Sequence, residues 1–300
     1  ETWWHRDRRE TIPLNGIAVR KARPTGSKPA YGKQSILVEV SENPGDYERL
    51  WRWAAALIDP ARAEPLLAAG EAPPDVSALV DLLRRHKVPL LSLTGTPGER
   101  LRGDPAWQRA RAAERDEYAS AREEFARVQV ALSRAGIPSL LIKAVGCPPN
   151  FPYRSDNLDL LVHDGHAPRV RRLLMGIDYV AVRNVEEPKK YLFRKFVAGQ
   201  SVGTVHLHEC VGWGTGFMDE ERLWERARPA PDDPSFLIPG PGDALLITIA
   251  HAFYEDKRFA LGDLQRVLWC LRREAIDCDQ VAEVAHRRGW HLGLLTAAAF

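Results

Sequence analysis

Asn157 and Asp159 are the residues of this chain best placed to hold a metal ion. They begin a segment that alternates polar and apolar residues up to Val162, a pattern that predicts a β-strand. Because side chains on a strand alternate between its faces, Asn157 and Asp159 point to one side, and Leu158 and Leu160 to the other. Oxygen ligands spaced in this way suit Mg2+, which completes its shell with water and phosphate oxygens. A strand whose polar face is simply hydrated would show the same alternation.

A second set of candidate ligands lies further along the chain. His206 and His208 alternate with apolar residues on a predicted strand, and Glu209 follows them directly. A His-x-His pair on a strand can bind Zn2+, and ordinary half-buried imidazoles in a polar cleft are the alternative. No C-x-x-C pair and no H-x-x-x-H pair accompanies them in the sequence.

Several residues are candidates for binding phosphate. Gly146 and Cys147 form a predicted turn before the Asn157 strand, and backbone amides in such a turn can hold phosphate oxygens. Lys143 ends the preceding strand and Arg154 comes just before the acidic one, so both are placed to neutralise a polyanion. His251, on a later helix, is a candidate for contact with a base, a ribose or a triphosphate. Each could equally be an ordinary surface or turn residue.

Composition excludes several classes of protein. The 42 basic and 40 acidic residues give a formal net charge of +2, which argues against a strongly basic nucleic-acid binder. Four cysteines without a C-x-x-C pair indicate reduced thiols, and no apolar run approaches the roughly 20 residues of a membrane helix. We therefore expect a soluble cytoplasmic protein that does not bind membranes.

Hydrophobic periodicity predicts an α+β fold in which a small mixed sheet is flanked by helices on both sides along the chain. A helix is predicted to begin at Asp75 or Ser77 and to end near His86. The other predicted helices span residues 46–58, 105–135, 167–175, 242–256, 261–273 and 278–288. The predicted strands span residues 35–40, 139–143, 158–162, 179–183, 191–197 and 204–208.

Four regions follow from this order. Residues 1–45 form a basic, Pro- and Gly-rich extension, with eight Lys or Arg against three acids up to Gln34. Residues 46–136 form an N-terminal helical region, residues 137–212 the core sheet, and residues 213–300 a C-terminal helical region. The stretch 95–103 has the composition of a linker. The basic extension is a candidate contact for a protein partner.

These motifs resemble the uncharacterised bacterial nucleotidyltransferases of the DNA polymerase beta-like superfamily. That superfamily carries a Gly followed by Gly or Ser, a spacer, an acid-apolar-acid-apolar strand, and a third acid on a later strand. The corresponding pieces are Gly146-Cys147, a nine-residue spacer, Asn157-Leu158-Asp159-Leu160, and the strand around His206. The resemblance covers about residues 48–298 and implies a nucleotidyltransferase core that uses a nucleoside triphosphate.

The resemblance also implies a mechanism. In the superfamily, three carboxylates hold two Mg2+ ions while a nucleoside monophosphate passes from the triphosphate to a hydroxyl-bearing acceptor. Here Asn157 stands in place of the first acid and His206 in place of the third, so Asp159 alone matches. Asp156, Glu209 and His208 are candidate substitutes, although Asp156 requires a β-bulge to reach the face of Asp159.

Three functional hypotheses remain open at this stage. The first is Mg2+-dependent transfer of a nucleoside monophosphate with a reduced set of acids. The second is a catalytically inactive module of the same fold that serves as a binding or scaffold component of a biosynthetic system. The third is a histidine-based zinc enzyme.

Overall fold

The computed structural model describes residues 44–67, 71–144, 149, 151–154, 157–182, 189–212, 216–231 and 233–299. The strand predicted at residues 35–40 lies outside these ranges. Residues 1–43 of the predicted extension lie outside them as well. Within the described ranges, no helix is both long and apolar enough to cross a membrane.

Among the described residues, a group of helices comes first, the strands lie mainly in the middle of the chain, and further helices follow. The helices are α1 (Pro44–Ile58), α2 (Ala63–Leu66), α3 (Val76–Arg85), α4 (Thr96–Leu101), α5 (Pro105–Arg134), α6 (Ala167–Met175), α7 (Glu220–Glu225), α8 (Pro241–Ala250), α9 (Leu261–Arg273), α10 (Cys278–Arg287) and α11 (His291–Ala298). A π-helical turn, His251–Glu255, continues α8. The strands are β1 (Leu140–Leu141), β2 (Leu158–Leu161), β3 (Tyr179–Val182), β4 (Lys190–Val197), β5 (Gln200–His208), β6 (Arg228–Pro229) and β7 (Leu237–Ile238).

Helix boundaries follow the capping residues. The Asp75 side chain accepts hydrogen bonds from the Ser77 and Ala78 amides, which makes Asp75 the N-cap of α3. Asp104 caps α5 in the same way. The linker predicted at residues 95–103 is wrong, because Thr96–Leu101 is helical and buries Leu101. Pro97 lies in the first turn of α4, where a proline costs the helix no hydrogen bond.

The strands form one mixed sheet in the order β3-β4-β5-β2-β1-β7-β6, which confirms the predicted α+β fold. β2 pairs with β5 in parallel, and β1 and β4 each pair with one of them in antiparallel orientation. β6 and β7 come from residues 213–300, the predicted C-terminal helical region, in which no strand was expected. The prediction missed them because a strand of two residues leaves no periodicity in the sequence.

Helices cover the two faces of the sheet unequally. On one face, α5 and α6 supply Phe125, Val128 and Val170, which pack against Leu160 and Leu207. On the other face, α8 and α10 cover the part of the sheet near Leu140 and Leu161. A separate helical core joins α1, α3 and the first turns of α5. The outer half of the second face, along β3 and β4, carries exposed side chains.

The buried carboxyl group of Glu114 on α5 connects two of these regions. Its Oε1 atom accepts hydrogen bonds from the Leu91 amide at 3.0 Å and from the Tyr153 hydroxyl at 2.6 Å. Burial raises the pKa of Glu114, and the hydrogen bonds from Tyr153 and Leu91 oppose this shift. The carboxyl oxygen therefore serves as a shared acceptor for two groups that have lost contact with water.

We expect Glu114→Gln to change the free energy of unfolding little, because an amide oxygen can accept both hydrogen bonds without a buried charge. Glu114→Ala should cost about 1–3 kcal/mol, because it leaves two buried donors without an acceptor. Urea unfolding of both variants measures the difference. Equal destabilisation by Gln and Ala would contradict the assigned role.

Candidate functional site

Parallel pairing of β2 with β5 brings the predicted ligands together. Asp159 lies opposite His206 in the register, and Leu161 lies opposite His208. Residues paired across neighbouring strands point to the same side of a sheet, so Asp159, His206 and His208 share one face. Alternation within each strand and the parallel register between the strands together place three potential ligands in one cluster, with Asp159 and His208 49 residues apart in the chain.

Asp159 is the centre of this cluster, with its side chain 1% exposed. Its Oδ1 atom lies 2.9 Å from His208 Nε2 and 3.4 Å from His206 Nδ1. Its Oδ2 atom lies 3.1 Å from the ammonium nitrogen of Lys143. Burial alone would raise the pKa of Asp159, but Lys143 and the two histidine hydrogen bonds hold it well below the ordinary value. Asp159 is therefore a buried carboxylate that stays ionised.

The two histidines differ in their surroundings. Burial lowers the pKa of His208 to about 4, although its contact with Asp159 acts in the opposite direction. His208 is therefore neutral at pH 7, and its Nε2 atom carries the proton donated to the carboxylate. His206 Nδ1 lies 3.2 Å from the side-chain amide of Asn157. The imidazole rings of His206 and His208 are 4.5 Å apart.

These residues fit one divalent cation. One ligand atom from each of Asp159, His206 and His208 lies within 4.8 Å of the others. Asp159 Oδ2, His206 Nε2 and His208 Nδ1 are buried without a hydrogen-bond partner among the described residues, although Lys143 is close to Oδ2. With its proton on Nε2, His208 keeps a free lone pair on Nδ1, and Nε2 is the corresponding unpaired atom of His206. Two Mg2+ ions do not fit this set, because the described cluster contains one carboxylate and Mg2+ prefers oxygen ligands.

Two further charged residues, Lys190 and Glu255, lie near the cluster. Lys190 is opposite His208 in the β4–β5 register and is 3% exposed. Burial of Glu255 in the π-helical turn would raise its pKa. The pKa of Glu255 is nevertheless strongly lowered, because His251 donates a hydrogen bond to it and the charges of Lys143, His251 and Lys190 stabilise its ionised form. The cluster therefore lies beside two lysines and a second acidic side chain. π-helical turns of this kind are frequent at functional sites.

A cavity of about 200 Å³ lies beside Asn157, on the face of the sheet that packs against α5. Leu158, Tyr153 and Glu124 line it together with Ser201–Thr204 of β5. Among the described residues, this part of β5 extends beyond the start of β2. Leu158 points away from Asp159, so Asn157, which contacts His206, is the link between the cavity and the cluster.

The structure does not bring every candidate residue to the cluster. Glu209 lies on the opposite face of β5, because it is one residue beyond His208. Its carboxylate accepts hydrogen bonds from the Ala167 amide at the start of α6 and from the Tyr191 hydroxyl. The prediction that Glu209 is a metal ligand is therefore wrong, and Glu209 instead accepts a hydrogen bond from the first turn of α6.

Arg154 and His251 have partners of their own. Arg154 forms an ion pair with Glu117 on α5 at 2.5 Å, so the phosphate-binding role expected for it would require breaking that pair. His251 Nε2 lies 2.9 Å from Glu255. Gly146, Cys147 and Asp156 lie outside the described residues.

Sequence reasoning missed Lys190 and Glu255. Lys190 is the first residue of β4, whereas the predicted strand begins at Tyr191. Nothing in the sequence around Lys190 indicates that its side chain lies near Asp159. Glu255 follows His251 by four residues, the spacing at which two side chains of one helix meet. That spacing is the one sequence signal that could have indicated the pair.

Comparison with known proteins identifies a family for most of the chain. Residues 72–300 match the model of a family described as uncharacterised nucleotidyltransferase. The search of curated proteins and the search of solved structures each gave no significant match.

We expect Asp159→Leu to lower the free energy of unfolding by about 3–5 kcal/mol, because it leaves the Lys143 ammonium group buried without its carboxylate. The double variant Lys143→Met with Asp159→Leu should recover the part of this loss that comes from the unpaired ammonium group, while the two imidazoles still lack the carboxylate. The exposed pair of Lys189 and Asp164 is the matched control, and the corresponding double variant should change stability little. Denaturant unfolding checks this, and a double variant as unstable as Asp159→Leu alone would contradict it.

Stability of the metal-free protein should rise with pH between about 4 and 6.5. His208 has a folded pKa of about 4 and an unfolded pKa of about 6.5, so the unfolded chain binds more protons in this window. His208→Gln should flatten the rise, and the exposed His286→Gln should not. Urea unfolding at pH 4.5 and pH 7 measures both slopes. An unchanged slope in His208→Gln would show that another group causes the dependence.

Proposed function

Because the chain belongs to the uncharacterised nucleotidyltransferase family, we propose that it transfers a nucleoside monophosphate from a nucleoside triphosphate to a hydroxyl-bearing acceptor. In this reaction the acceptor oxygen forms a bond to the α-phosphorus and loses its proton, the bond to the β-phosphate breaks, and pyrophosphate leaves. The observation that supports the proposal most is the buried Asp159 carboxylate, held between two histidines and Lys143.

In the proposed site, Asp159, His206 and His208 hold one divalent cation. When bound, such a cation neutralises phosphate charge and makes the acceptor hydroxyl easier to deprotonate. Mg2+ is the ion expected from the resemblance, whereas two imidazole ligands suit Mn2+ or Zn2+ better. Asn157 supports His206 through its hydrogen bond, as groups behind a metal ligand commonly do.

Lys143 and Lys190 bind phosphate in the proposed site and do not bind the cation. Lys143 and Lys190 bring positive charge to the inner end of the site, and such charge stabilises a bound triphosphate. Gly146 and Cys147 remain proposed phosphate contacts, and Asp156 a proposed further ligand.

Two alternatives each have one observation in their favour. A binding module without catalysis is favoured by the single carboxylate in the described cluster. A zinc enzyme is favoured by the neutral His208 and by the ligand set of two nitrogens and one oxygen. In the binding module, the basic extension of residues 1–45 is a proposed contact for a protein partner.

We expect Mn2+ or Mg2+ together with a nucleoside triphosphate to raise the melting temperature, and pyrophosphate release to require both. At a ligand concentration 100 times the dissociation constant, the stabilisation is about 2.7 kcal/mol. Asp159→Asn should abolish the cation-dependent stabilisation and reduce pyrophosphate release at least 100-fold. Thermal melting and a pyrophosphate assay measure the two effects.

The outcomes separate the hypotheses. Stabilisation without pyrophosphate release, in the presence of a broad panel of hydroxyl acceptors, would indicate the binding module. Stabilisation by Zn2+ alone, lost in the His206→Ala and His208→Ala double variant, would indicate the zinc enzyme. Unchanged pyrophosphate release in Asp159→Asn would exclude Asp159 as the centre of the reaction.

A further inference from the structure

The face of the sheet that carries Asp159 continues outward along β4. In the β4–β5 register, Leu192 lies opposite His206 and Arg194 lies opposite Thr204. In the β3–β4 register, Val180 lies opposite Arg194. Paired residues point to the same side, so Val180 and Arg194 lie on the face of Asp159, one strand repeat of about 7 Å outward from the row of His206.

Exposure increases steadily along this face. His208 is 1% exposed and His206 is 8% exposed, whereas Arg194 is exposed and Phe196 is 48% exposed. The inner end is buried under α8. The outer end is exposed, so a ligand bound at the cluster can extend along β4 over exposed side chains.

The open end combines an aromatic ring, an aliphatic side chain and a free cation. Phe196 and Val180 are both about half exposed, at 48% and 50%. The Arg194 guanidinium makes no hydrogen bond or ion pair with any other described residue. We call Val180, Arg194 and Phe196 the outer surface.

A β-bulge marks the position of Phe196. The register shifts between Lys195 and Phe196, so that Ser201 and Val202 on β5 both lie opposite this part of β4. Bulges bend a strand and increase its twist, and they are frequent next to active sites because they redirect a side chain. The extra residue is Val202 on β5, so β4 keeps its own alternation and Phe196 lies on the same face as Arg194.

We propose that the outer surface binds the nucleoside part of the triphosphate, with the base stacked on Phe196 and Arg194 beside the ribose and the nearest phosphate. This inference rests on the proposed function, because it requires the triphosphate to be bound at Asp159. It adds the location of the base and the way in which the base is held.

The charges determine the direction of the ligand. Lys143 and Lys190 are at the inner end, where the phosphates would be neutralised, whereas the outer end is aromatic and aliphatic. Leu192, beside His206, is four residues from Phe196, which corresponds to about 13 Å along a strand. An extended nucleoside triphosphate has a comparable length from its phosphates to its base. The anionic phosphates therefore lie at the end with the two lysines, and the aromatic base lies at the end with Phe196.

The same surface predicts weak selectivity among bases. Val180 and Phe196 have no hydrogen-bonding groups, and Arg194 has only donors. Stacking on an aromatic side chain tolerates any base, because every base offers a π-face. We therefore expect adenine, guanine, cytosine and uracil triphosphates to bind with similar affinity.

The test compares ligands with and without a nucleoside. Dissociation constants of ATP, CTP and inorganic tripolyphosphate are measured by calorimetry in the presence of Mn2+ for the wild type and for Phe196→Ala. We expect Phe196→Ala to weaken ATP and CTP by about tenfold, consistent with the 1–3 kcal/mol per base found for stacking, and to leave tripolyphosphate within twofold. Phe196→Trp should restore binding.

A matched control is available one residue away. Val197 is 56% exposed and alternates to the opposite face of β4, so Val197→Ala should leave all three ligands unchanged. Arg194→Ala should weaken ATP, CTP and tripolyphosphate together, because it removes a charge and not a stacking surface. Melting curves of each variant establish that the fold is retained.

Two failures are distinguishable. If Phe196→Ala binds ATP as tightly as the wild type while pyrophosphate release persists, the inference is overturned and the proposed function stands. If the wild type binds neither ATP nor tripolyphosphate with any divalent cation, the proposed function fails and the inference fails with it. Equal weakening of ATP and tripolyphosphate by Phe196→Ala would also overturn the inference, because the effect would not concern the base.

Discussion

The site depends on one constraint, which is the parallel register between β2 and β5. It sets Asp159 opposite His206 and brings His208 to the next position on the same face. A slip of one residue would replace both imidazoles by Val205 and Leu207 and would turn the histidines away. Apolar packing of Leu160 and Leu207 against α5 and α6 fixes this register, because the same slip would expose those side chains. The hydrophobic core and the polar cluster thus specify each other through the pleat of the strands.

The cluster also shows how a buried carboxylate can remain ionised in a fold that offers it little water. Two imidazoles and an ammonium group replace the solvation that Asp159 loses, and each makes a short contact. Such a set is stable as a unit and unstable when one partner is removed, since desolvation then acts on an uncompensated charge. The ring atoms that face away from Asp159, His206 Nε2 and His208 Nδ1, have no hydrogen-bond partner among the described residues.

The sequence was sufficient for the elements with strong periodicity and for the residues they carry. The long helix α5 and the strands β2 and β4 follow from periodicity and capping alone. Alternation also puts His206 and His208 on one face of β5, and the parallel pairing with β2 adds Asp159 to that face. The family was indicated by the same residues, and the match of residues 72–300 confirms it. Lys190 and Glu255 could not be predicted in this way, because their proximity to the cluster arises from the β4–β5 register and from a π-helical turn. Neither leaves a pattern in the residues themselves. The prediction of Glu209 as a metal ligand was wrong for a related reason. Glu209 directly follows His208, and neighbouring residues on a strand point to opposite faces.

The short strand β7 has a consequence for how the molecule is assembled. β1 lies between β2 and β7, and its parallel neighbour at Leu237 is nearly one hundred residues further along the chain. α9 likewise packs against α1 through an ion pair of Arg272 with Asp59, and Leu261 and Leu264 join the N-terminal helical core. Contacts between such distant segments require large loops to close first, which slows folding. During synthesis the sheet that bears Asp159 therefore stays incomplete until the second half of the chain has emerged, and a fragment ending near residue 212 would expose one edge of β1.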